Sequence, residues 1–169
     1  MGFLVDRWRT FFSICHVVQG RIHDVATLCG SEPNVPIEDE SKLKLWNIYR
    51  LLQTAHIICF KSFSPHLKHL SVETDFTDAR LGLLTIKEGK KLSFVENKAR
   101  ESTLALLAKE IKLLHKANDD PYAVNIALKQ LCELRGAMTS IHDLFVRDNP
   151  NEVCHFITWK QKKFYGIDL

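Results

Sequence analysis

Apolar residues at 4, 8, 11, 15, 18, 22 and 25 step by threes and fours. That spacing puts Leu4, Trp8, Phe11, Cys15, Val18, Ile22 and Val25 on one helical face and predicts a helix over 3–28. Gly30 through Pro36, with two prolines, ends it. Leu45, Ile48, Leu52, Ala55 and Cys59 repeat the stepping and predict a second helix over 39–63, stopped by Pro65. Glu38, Asp39 and Glu40 suit the positive end of its dipole. Between Pro65 and Thr85 the pattern is irregular and reads as loop, with a turn of helix around 77–83. Thr85 and Glu88 have capping-box spacing and open a short helix to Leu92. A helix over 95–117 follows, with Leu104, Leu107, Ile111 and Leu114 on one face. Val124, Ala127, Leu131, Leu134, Met138, Ile141 and Phe145 then form the clearest seam, about 30 Å long at 1.5 Å per residue. No alternating strand pattern or repeat competes. The pattern predicts an all-α fold, an antiparallel bundle of long helices in a single domain over 1–169, whose seams need partner helices.

Composition narrows the function classes. Lys and Arg total 23 against 20 Asp and Glu, a formal charge of +3. That excess is too small to predict a nucleic-acid partner, and no concentrated basic face with interleaved aromatics accompanies it. Cys15, Cys29, Cys59, Cys132 and Cys154 are odd in number and lack a CxxC pair, so they read as buried thiols in a reducing compartment. No run approaches the ~20 apolar residues of a membrane helix. The final apolar run, Val153 to Trp159, is stopped by Lys160. Asp6 and Arg7 come too early for a signal peptide, and Asp6 occupies the position where a myristoylation signal carries Ser or Thr.

Chemistry-bearing residues are sparse. His66 and His69 lie at i and i+3, and His16 and His23 seven apart, but two imidazoles make half a zinc site; they read as surface or core-edge histidines. Cys132 and His142 are ten residues apart on one helix, about 15 Å along its axis, beyond nucleophile–base reach. Without a phosphate loop, GxSxG or HExxH, the sequence predicts no enzyme, no metal site and no organic cofactor. Arg135, beside Leu134 at the edge of the last seam, reads either as a structural ion pair or as a contributor to an anion's path.

Asp120-Pro121-Tyr122 opens that last helix: Asp120 suits the N-cap and Pro121 the first helical position. Leu134-Arg135-Gly136, His142-Asp143 and Pro150 follow. This order resembles the bestrophin family of anion channels. There, a similar Asp-Pro pair begins the cytosolic helix that narrows the lower pore, and a Leu-Arg element lies the same distance along it. Arg7-Trp8 resembles the Arg-Trp pair at the cytosolic end of the family's second transmembrane helix, and Gly20-Arg21-Ile22 falls where Asp-Arg-Leu is frequent. Gly82-Leu83-Leu84-Thr85, with Ile86-Lys87-Glu88 after it, is similar to the family's Gly-Phe-Met-Thr segment. The likeness is strongest over 120–136 and weaker over 7–150, and 151–169 is a divergent tail.

The resemblance implies the cytosolic part of the ion pathway of a chloride or anion channel, assembled as a homo-oligomer, a pentamer in the family, and tied to the membrane through segments missing here. It places Tyr122 at the pore constriction, where the family usually has a compact aliphatic residue; a first-turn tyrosine packed on a neighbouring helix is the plainer reading. It names Asp120, Pro121, Arg135, Arg7 and Trp8 as structural or anion-path candidates. The family's acidic calcium-binding segment follows a later transmembrane helix, so calcium control does not carry over. Transmembrane helices are expected before Arg7-Trp8 and after Pro150. The chain is therefore expected to be a fragment or incomplete gene model, or else a diverged relative that kept only the cytosolic helices. A soluble helical interaction module without channel activity is the competing expectation.

Overall fold

A computed structural model describes residues 2–30, 39–61, 63–64, 66–77, 81–95, 98–117 and 121–147, with side chains except at 2–4, 7, 39, 115–117 and 145–147. The described residues form α1 (Gly2–Gly30), α2 (Asp39–Lys61), α3 (Ile86–Phe94), α4 (Ala99–Ala117) and α5 (Pro121–Arg147), and no strand. No helix among them is long and apolar enough to cross a membrane.

The most extensive packing joins α1 to α5 and α2 to α4, and α4 also lies on α5. The stepped residues make these contacts: Val18, Ile22 and Val25 of α1, Leu104, Leu107, Ile111 and Leu114 of α4, and Ala127, Leu131, Leu134, Met138 and Ile141 of α5 are buried. On α2 the covered surface is broader than one stripe. Ile48, Leu52, Ala55 and Cys59 are buried along one face, and Leu51, Thr54 and Arg50 beside them, so α2 is enclosed on two sides. The buried hydroxyls are satisfied locally: Thr54 donates to the Arg50 carbonyl at 2.8 Å and Thr103 to the Ala99 carbonyl at 2.7 Å.

Several sequence expectations need correction. The fourth helix starts at Ala99, four residues later than the pattern predicts, because Val95 closes α3 with its N–H on the Leu92 carbonyl, 3.2 Å away. The second helix ends at Lys61 instead of 63, where the N–H groups of Phe63 and Ser64 fold back onto the Phe60 carbonyl. Of the turn of helix expected around 77–83, residues 78–80 lie outside the described residues and 81–83 are not helical; a turn lies over 72–77. Asp75 holds this turn: its carboxylate accepts the Ser71 N–H at 2.6 Å while its own N–H bonds the Ser71 carbonyl at 2.9 Å. Burial of Val72 and Phe76 then holds that turn on the core. Cys29 and Cys59 are buried and Cys15 half-buried, but Cys132 is exposed, since it follows Leu131 by 100° and leaves the seam. Cys154 lies outside the described residues.

Two glycines in this region are required, one by its backbone conformation and one by lack of space. Gly82 has φ 59°, in the left-handed region. Gly89 is buried where α3 meets the 72–77 turn; a Cβ there would collide with Thr77 Cγ2 and come within 3.4 Å of the Val72 carbonyl oxygen.

Candidate functional site

Pro121 is the first residue of α5, and Tyr122 beside it is 74 % exposed. Asp120 and Pro150 lie outside the described residues, as does the Arg7 side chain. Trp8 is half-buried on α1, its ring 4.9 Å from that of Phe12. Arg135 is exposed, and among the described residues it is in no ion pair, so the structural salt bridge expected of it is not formed there. The cause is angular: Leu131, Leu134 and Met138 carry the buried seam, and Arg135 points 100° away from Leu134.

Among the described residues, Tyr122, Trp8 and Arg135 do not converge. The Phe11 ring meets Phe63 at 5.5 Å, Cys59 lies in the field of Arg100, and Arg100 donates to the Met138 carbonyl at 3.1 Å. The Trp8 end of α1 therefore lies toward the Met138 half of α5, whereas Tyr122 is on the first turn, sixteen residues or about 24 Å before Met138. Arg135 sits thirteen residues, about 20 Å, from Tyr122.

The best-formed polar cluster is elsewhere. Arg50, whose side chain is only 10 % exposed, forks onto Glu88 of α3, with Nη1 2.7 Å from Oε2 and Nη2 3.0 Å from Oε1. Its Nη1 also donates to the Leu83 carbonyl at 3.1 Å, and its Nε to Asn47 Oδ1 at 2.9 Å. Glu88 closes the capping box as well, accepting the Thr85 N–H at 2.9 Å and the Thr85 hydroxyl at 2.8 Å. Partial burial disfavours its charge, but the bonds from Arg50 and Thr85 outweigh that and hold the carboxyl at about 2, against an ordinary 4.5. The sequence signalled half of this through Thr85 and Glu88. The other half, Arg50, was detectable only as a cation beside Leu51 and Leu52 on a helix whose second face proves to be covered.

A cavity of about 500 Å³ lies between α1 and α2, lined by Phe11, Phe12, Cys15, His16, His56 and Phe60 among others. Burial pushes the Cys15 thiol up to about 11 and lowers the pKa of His56, so both are neutral near pH 7 and neither is an activated nucleophile or acid. No group of three or more His, Cys, Asp or Glu side chains among the described residues is arranged to hold a metal ion.

Compared with protein-family models, with curated proteins and with solved structures, the chain matches none.

Proposed function

We propose that this chain is a bestrophin-like chloride or anion channel subunit, or a portion of one, contributing the cytosolic part of the ion pathway, with Tyr122 at its narrow opening. The observation that carries the reading is the placement of Tyr122: 74 % exposed on the first turn of a 27-residue helix that begins at Pro121. The first-turn N–H groups and the positive dipole end favour an approaching anion there, and five such side chains around an axis would set the width it must pass. Exposed Arg135, lower on the same helix, would add favourable potential along the path.

The same reading makes α1, α2, α4 and α5 an antiparallel bundle, completed by identical subunits. Two pairs in opposite order along α2 and α4 support it for those helices, Asn47 on Glu110 at 3.4 Å and Cys59 in the field of Arg100. Membrane attachment would come from spanning helices flanking 1–169, leaving this portion cytosolic.

The test is electrical. In a chimera carrying the family's transmembrane helices, Tyr122→Ala should alter relative permeability among anions of different size, because dehydration matters most at the narrowest point. Unchanged ratios in a channel that assembles and conducts would remove Tyr122 from the pore.

A helical interaction module without channel activity is the second reading. It is favoured by Leu43, Trp46 and Tyr49, exposed on one side of α2 with the two rings stacked at 5.7 Å. A well-behaved monomer at tens of micromolar, with cooperative unfolding, would favour it over the channel.

A further inference from the structure

α3 is short, yet its two faces differ sharply in chemistry. Gly89 and Leu92 are buried, and Glu88 beside them is committed to Arg50. At 100° per residue, Ile86, Lys90, Phe94, Lys87 and Lys91 fall within an arc of about 140° on the opposite side. All five are exposed, Ile86 by 68 % and Phe94 by 91 %. Lys98, just beyond the helix, is exposed too. Glu88 is the only carboxylate in the helix, and it faces inward. Among the described residues, none of the three helix lysines is in an ion pair.

We propose that this face of α3 docks on an anionic lipid bilayer surface, with Ile86 and Phe94 entering the headgroup boundary and Lys87, Lys90 and Lys91 lying among the lipid anions. Charge complementarity selects the partner's sign. The chemistry of the side chains selects a bilayer over an acidic protein or nucleic acid. Ile86 and Phe94 stand eight residues apart, about 12 Å along the axis, as two separate apolar projections with ammonium groups between them. That arrangement suits a fluid interface that admits an apolar group wherever one lands, and it forms no contiguous patch for a matching protein pocket. Lysines act as hydrated point charges that need no defined geometry, and the face carries no arginine fork for bidentate readout of a particular anion. The helix is also preformed: its capping box and the Arg50 fork fix it in the fold, so docking does not have to order it first.

The experiment is co-sedimentation of the full chain with vesicles of phosphatidylcholine alone and of phosphatidylcholine with phosphatidylserine. Binding should require the anionic lipid and fall as salt rises from about 0.05 to about 0.5 M. Reversing Lys87, Lys90 and Lys91 to Glu should weaken it by on the order of 100-fold, and Phe94→Ser by about 10-fold. Circular dichroism confirms that each variant folds, and the salt series on the unaltered chain gives the charge test without any substitution. Equal binding to neutral vesicles, no binding to anionic ones, or undiminished binding after either substitution overturns the proposal.

Discussion

Replacing Glu88 by Gln is the most informative single perturbation of this fold. Gln keeps the size of the side chain and can still accept from Thr85, so the capping box survives while the charge is lost. What remains is Arg50, its side chain 10 % exposed, facing a neutral amide with only the Leu83 carbonyl and Asn47 to complete its bonding. A fall in the Glu88 pKa from 4.5 to about 2 sets an upper bound of ~3 kcal/mol on the ionised form's contribution. The Glu88 side chain is 22 % exposed, so solvent screens part of that and ~2 kcal/mol is the expected loss near neutral pH. Because the folded-state pKa is depressed, this stability is fully present above the unfolded value, near 4.5, and is lost as pH falls toward about 2. Urea unfolding followed by circular dichroism, at pH 7 and through that acidic window, measures both effects. The parent should lose the increment between those limits and the Gln variant should lack it. A difference below about 0.5 kcal/mol at pH 7, with parallel pH profiles, would show that the fork contributes little and that α3 is held by its apolar face alone.

The same unfolding assay serves three further substitutions. Gly89→Ala should cost about 1 to 3 kcal/mol, because the new methyl collides with Thr77 Cγ2 on a side chain whose hydroxyl already bonds the Glu73 carbonyl; an unchanged midpoint would mean that the turn yields freely. Leu134→Ala, fully buried on α5, should cost about 2 to 5 kcal/mol, and a loss below about 0.5 kcal/mol would mean that the seam is misassigned. Arg21→Ala removes bonds to Glu133, Asp24 and Gln130 from a half-exposed site and should cost under about 1 kcal/mol, an effect that high salt should reduce; a larger, salt-independent loss would refute its assignment as a surface bridge.

Helix existence was legible in this chain because the apolar period survives for many turns. The three-four stepping of Ala127, Leu131, Leu134, Met138 and Ile141 forces one face inward whatever it meets, and all five are buried. Boundaries were less legible, because they depend on bonds outside the period: the Val95 N–H closing α3 and the Asp75 carboxylate holding the 72–77 turn leave no apolar signature. Arg50 was illegible as a buried group for a related reason. Its partner lies 38 residues away, and the surface that desolvates it comes from a segment without periodicity of its own.

That difference also bears on the candidate site. Tyr122 was singled out by the family resemblance, and its exposure agrees with a role toward a partner or a path, yet among the described residues Arg135 and Trp8 lie apart from it. A pore built by symmetry has this property, since each chain supplies one element of a ring and the neighbours that complete it belong to other copies. The channel reading therefore does not need Arg135 to approach Tyr122 within one chain. The decisive property is accordingly association: whether copies of this chain bring their Tyr122 side chains around one axis.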